Sequence, residues 1–70
     1  MSISTKDVTD ELQARAAKSW KLCQEHRKYL RQCKTTNEAI GTLIMLKAYH
    51  DDAVAYEDLI KLAQRVSIEP

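Results

Sequence analysis

Glycine and proline are almost missing from this 70-residue chain, which has one of each, Gly41 and Pro70. No stretch alternates apolar with polar residues either, so turns and strands have little to build on and the composition predicts an all-α fold. A long apolar run is absent as well. The longest, Ala39 to Leu46, is interrupted by Gly41 and Thr42, far short of the roughly 20 residues that a membrane helix needs. The opening Met-Ser-Ile-Ser-Thr-Lys-Asp lacks the basic-then-apolar order of a signal peptide, so no membrane and a cytoplasmic location are expected.

Chemistry-bearing motifs are equally scarce. There is no glycine-rich phosphate loop and no paired-carboxylate constellation, and His26 and His50 are the only histidines. Cys33 lies two helical turns from His26, ~10 Å, beyond the reach of a nucleophile and its base. His50, Asp51 and Asp52 are adjacent in the chain; neighbours on a helix point about 100° apart and do not converge on a metal. Two cysteines and two histidines match a tetrahedral zinc set in number, but the close ligand pairs of zinc modules are missing. The expectation is no enzyme, no metal and no cofactor.

Two cysteines, Cys23 and Cys33, have the Cys-x9-Cys spacing of twin-cysteine helical hairpins, but the second pair that such hairpins carry is absent. On one continuous helix the two stand ~15 Å apart, whereas a disulfide wants Cα atoms about 4.4–6.8 Å apart. Both are expected to be reduced and buried as small apolar residues.

What is present is a split in charge. Residues 1–35 carry eight basic and four acidic side chains, net +4, and residues 36–70 carry three basic and six acidic, net −3. Oppositely charged halves, each helical, are able to pair with each other or with a second copy. Helix starts are legible. Ser4 with Asp7 and Thr35 with Glu38 are capping boxes, and Ile3 and Val8 stand at the positions of a hydrophobic staple. The chain therefore reads as one domain, residues 1–70, with a helix at about 5–34, a second at about 36–66 and a frayed tail at 67–70. So short a connection makes the two helices an antiparallel hairpin. Adjacent Asp51 and Asp52 favour caps over helix interiors, which leaves open a break at 50–53 and three helices.

Val8, Leu12, Ala16, Ser19, Cys23, His26, Leu30 and Cys33 trace one face of the first helix, with small residues at 16, 19 and 23 allowing close approach and Trp20 covering their edge. Thr42, Met45, Tyr49, Asp52, Tyr56, Leu59, Ala63 and Val66 trace a face of the second, with Leu46, Ala53 and Ile60 beside it. Ala39 to Leu46 covers nearly the whole helix circumference, and a helix apolar all round wants burial on more than one side. Self-association, as a homodimer or larger helical bundle, is expected. Ile40, Leu43 and Ile44, with Trp20, Tyr29 and Tyr49 on neighbouring faces, have the composition of a protein contact surface. Arg27, Lys28, Arg31 and Lys34 form a basic face that would suit phosphates in an RNA- or DNA-binding helical dimer, although a net charge of +1 is a weak footprint for one.

Chain length, a basic first helix containing Arg27-Lys28-Tyr29-Leu30, and the apolar helix from Thr36 onward resemble the small helical co-chaperones of bacterial type III secretion. That resemblance covers most of the chain and carries over no individual functional residue. It implies a protein that clasps a chaperone holding the needle subunit and keeps that subunit from polymerising early. A small phage-encoded inhibitor is compatible with the same pattern. The expected function is thus non-catalytic protein binding: a co-chaperone, adaptor or inhibitor that masks a partner's surface, with itself and another protein as partners.

Overall fold

Two side-chain caps divide the chain into its elements. The Ser4 hydroxyl accepts the Asp7 backbone N–H at 3.3 Å, and the Thr35 hydroxyl accepts that of Glu38 at 3.1 Å. In the computed structural model, which describes residues 3–67, these caps open α1 (Thr5–Gln32) and α2 (Thr36–Val66). The second box differs from its usual form: the Glu38 carboxylate reaches past Thr35 and accepts the Lys34 N–H at 3.0 Å. Cys33 ends α1 in extended backbone, φ −65° and ψ 137°, two residues earlier than the spacing suggested. The connection is too short for anything but reversal, and the pair forms an antiparallel hairpin 54 Å long and 16 by 14 Å across. Ser67 closes α2 at φ 51°, its N–H bonded to the Ala63 carbonyl at 3.2 Å. The rest of the expected tail, 68–70, lies outside the described residues.

No break interrupts α2 at His50-Asp51-Asp52, so the three-helix alternative is set aside. Asp51 does not turn back to cap the backbone; its carboxylate takes the Lys47 ammonium one turn earlier at 2.7 Å. Ala53, the next residue but one, is 0% exposed against α1. An i,i+4 pair contributes about 0.2–0.5 kcal/mol, and packing of Ala53 adds to it; together they outweigh the capping preference of the aspartates.

Small side chains make the contact between the helices. Thr9, Ala16, Ser19 and Cys23 from α1 and Ala53 and Ala63 from α2 are the buried residues, and Cys23 is the largest of the fully buried side chains. Backbones can approach closely where Cβ is nearly all there is. Trp20 covers this seam as its position suggested. Its Nε1–H donates to Glu57 Oε1 at 2.8 Å, and its ring meets His50 edge-on at 5.5 Å. The inner face of α2 is rotated from the stripe read above. Leu46, Ala53 and Ile60 lie at its centre, while Met45, Asp52, Leu59 and Val66 are exposed.

Among the described residues, the opposite charges of the two halves do not meet as ion pairs. Lys6–Asp10, Arg15–Glu11, Lys47–Asp51 and His50–Asp51 all lie within one helix. Across the hairpin the polar contacts include Trp20 to Glu57, a long thiol contact from Cys23 Sγ to the Leu46 carbonyl (3.9 Å), and Cys33 Sγ with the Thr42 hydroxyl (3.4 Å). Both cysteines are free, Cys23 buried and Cys33 half-buried.

Candidate protein-docking surface

A helix that packs on one neighbour needs one apolar stripe, and α2 carries more. Ile40, Leu43, Ile44, Met45, Val54, Leu59, Leu62 and Val66 all remain between 39% and 64% exposed. Ile44 and Leu62 each stand nine residues from Ala53, two and a half turns, and so project from the side of α2 opposite its most deeply buried residue. The outward side of α1 is different in kind: Lys18, Lys21, Gln24, Lys28 and Arg31 are exposed there, and Tyr29 is its one large exposed apolar side chain. The unpartnered surface belongs to the second helix.

The residues proposed from sequence as a contact surface do not share one face. Ile40, Leu43 and Ile44 lie together near the turn, on α2 and away from α1. Tyr29 and Tyr49 sit on one side of the hairpin, each edge-on to His26 at 5.2 and 4.9 Å. There His26, Tyr29, Cys33, Thr42 and Met45 line a shallow groove. Trp20, nine residues from Tyr29, is on the other side and fills its own hydrogen-bonding capacity with Glu57. Leu59, Leu62 and Val66 extend the outward apolar surface to the far end of α2. Leu59 and Val66, inward-facing by the periodicity of α2, are exposed, and Leu62, which lies off that stripe, is exposed with them.

Arg27, Lys28, Arg31 and Lys34 are all exposed at the turn end of the hairpin. None of their side chains has an ion-pair partner among the described residues. The acidic cluster Asp51, Asp52, Glu57 and Asp58 lies level with Trp20, further from the turn.

Electrostatic perturbation is confined to exposed pairs. Hydrogen bonds from Lys47 and then from His50 hold the Asp51 carboxyl below the usual aspartate range. The Arg15 guanidinium is raised above its usual value by the hydrogen bond and charge of Glu11, with a smaller part from Tyr56 across the hairpin. The Cys33 thiol contacts the Tyr29 carbonyl at 3.2 Å and the Thr42 hydroxyl, not an imidazole. Among the described residues no three His, Cys, Asp or Glu side chains converge on a point that would hold a metal ion, and no helix is long and apolar enough to cross a membrane. Compared with protein families, curated proteins and solved structures, the chain matches none.

Proposed function

We propose that this chain is a non-catalytic protein-binding module whose second helix docks on a partner and masks an apolar surface, as a co-chaperone, adaptor or inhibitor does. The observation that carries the reading is the contrast between the two helices: the outward side of α1 presents charge, and α2 leaves large apolar side chains exposed toward both of its ends, Ile40, Leu43, Ile44 and Met45 near the turn and Val54, Leu59, Leu62 and Val66 beyond it. Exposed apolar surface of that extent marks an interaction site in a well-behaved protein. The resemblance to type III secretion co-chaperones supports a masking role within this class; a small phage-encoded inhibitor, compatible with the same pattern, would use the same physical action on a different target.

The second reading, nucleic-acid binding through Arg27, Lys28, Arg31 and Lys34, is favoured by one observation: these cations have no acidic partners among the described residues. Two sets of substitutions separate the readings. Leu43→Asp or Ile44→Asp places a carboxylate where aliphatic burial would contribute ~1.5–3 kcal/mol, and is expected to abolish protein partners retained from a native-host lysate while helix content persists. Arg27→Glu with Arg31→Glu is expected to alter salt sensitivity and leave those partners in place. If the arginine reversals abolish binding, and that binding falls steeply with salt, nucleic acid takes the place of protein.

A further inference from the structure

We propose that the outer side of α2 is a self-complementary seam on which a second copy of this chain docks antiparallel, centred near Ala53. The inference rests on the protein-binding reading above and names one partner for it. Its basis is a second stripe on α2: Gly41, Ile44, Ala48, Asp51, Ala55, Leu59, Leu62 and Val66, at steps of 3, 4, 3, 4, 4, 3 and 4. Every one of these residues is exposed. The stripe runs opposite the inner face that packs on α1.

Reversed, the stripe fits itself. An antiparallel copy with its dyad between Ala53 and Val54 sets each three-residue step of one helix against a four-residue step of the other, or four against four at the centre. The layers become Gly41 with Val66, Ile44 with Leu62, Ala48 with Leu59 and Asp51 with Ala55, each formed twice. In two of them a small residue faces a large one, which is how opposed helix surfaces interdigitate. Gly41 gains a reason to exist. It costs about 0.8–1.0 kcal/mol against alanine inside a helix, and within the hairpin a Cβ at that position would meet nothing within 4 Å.

Charge and area agree with this occupant. In the antiparallel register like flanks meet, and Lys47 of one copy falls beside Asp58 of the other, twice. The opposing term is the acidic pair Asp51–Asp52 close to the dyad; Asp51 is offset by its own Lys47 at 2.7 Å. A compact monomer of 8.0 kDa exposes about 4,450 Å². This chain exposes 5504 Å², about 1,000 Å² more, as a hairpin 54 Å long and 16 by 14 Å across must, so covering ~800 Å² of it, the share of one partner in a standard interface, would bring the chain near the compact value.

The test uses the full chain with Cys23→Ser and Cys33→Ser. Sedimentation equilibrium at micromolar concentration should give a dimer; a folded monomer up to 100-fold higher concentration overturns the proposal. For register, Ile44→Cys and Leu62→Cys chains are oxidised separately and mixed. The mixture should form the disulfide efficiently and neither chain alone should, because like positions would stand about 28 Å apart along the axis. Self-linking of Ile44→Cys overturns the antiparallel arrangement. Asp51→Ala removes a charge from the seam and should tighten the dimer by tenfold or more; weaker association would place Asp51 outside it. A chain that stays monomeric yet still retains protein partners through Leu43 and Ile44 refutes the self-pairing and leaves the protein-binding function standing.

Discussion

Replacing Ala53 with leucine tests the claim that the hairpin is held by close approach of small residues. Ala53 is 0% exposed, and Trp20 touches His50 and Glu57, which lie about one turn to either side of it. The site is closed from above as well as from α1, so three added carbons have no empty volume to enter. Overpacking of this kind costs typically ~1–3 kcal/mol. A domain of this size seldom has more than ~3–5 kcal/mol in total, so Ala53→Leu should remove between about a fifth and all of its stability. With a urea slope near ~1 kcal/mol per molar for so small a chain, the unfolding midpoint should fall by ~1–3 M. The assay is urea unfolding followed by circular dichroism at one fixed protein concentration, since association would otherwise shift the midpoint. Ala17→Leu is the control. Ala17 is exposed on α1, and its substitution should stay within about 0.5 kcal/mol of the parent. An Ala53→Leu variant as stable as the parent would show that the helices are not in contact there.

Thr35→Ala removes the acceptor for the Glu38 N–H and should cost ~1 kcal/mol; amide exchange at Glu38 and Ala39 should accelerate, and unchanged protection would refute the cap. Asp51, held low by Lys47 and His50, contributes stability that is complete above its unfolded pKa of ~3.9 and is lost as pH falls through the lower folded value. In a Lys47→Met chain its titration by NMR should move up toward the ordinary aspartate value; an unmoved midpoint would mean that Lys47 is not the cause.

The parts of this fold that could be read in advance are those where one local signal had no rival. Ser4 and Thr35 each precede an acidic residue by three positions, and both hydroxyls accept the N–H of that residue. The stripe of α1 was legible because its remaining positions are mostly charged, so one face alone could turn inward. In α2 the same reasoning fails for a physical reason. With Ile40, Leu43, Ile44, Met45 and Leu46 spread around the circumference, several stripes fit a helical period, and periodicity cannot say which one packs. The size of the facing residues decides it. Ala16, Ser19 and Cys23 leave room for backbone approach, and Ala53 and Ala63 are the residues of α2 that can use it. That places Leu46 and Ile60 inward and turns Leu59 and Val66 out. The aspartates at 51 and 52 misled toward a break because a capping preference is local, whereas burial of Ala53 depends on the other helix. The opposite net charges of the two halves do not translate into pairing, since the ion pairs that form among the described residues lie within one helix and the cations at 27, 28, 31 and 34 pair with none.

The composition of the buried seam has a thermodynamic consequence for how this molecule exists in solution. Burying a methyl group contributes ~0.8 kcal/mol and burying a large aliphatic side chain ~1.5–3 kcal/mol. Inside the hairpin the buried residues are alanine, cysteine, serine and threonine, while Ile44, Leu59, Leu62 and Val66 keep about half of their surface or more in water. On the docking proposed above, much of the hydrophobic free energy encoded in α2 would be realised only when a partner covered its outer side. A partner that bound the folded hairpin and not the unfolded chain would stabilise the fold by mass action, with the logarithm of its concentration once above its Kd. Folding and docking would then be linked, and substitutions on the outer stripe would change both.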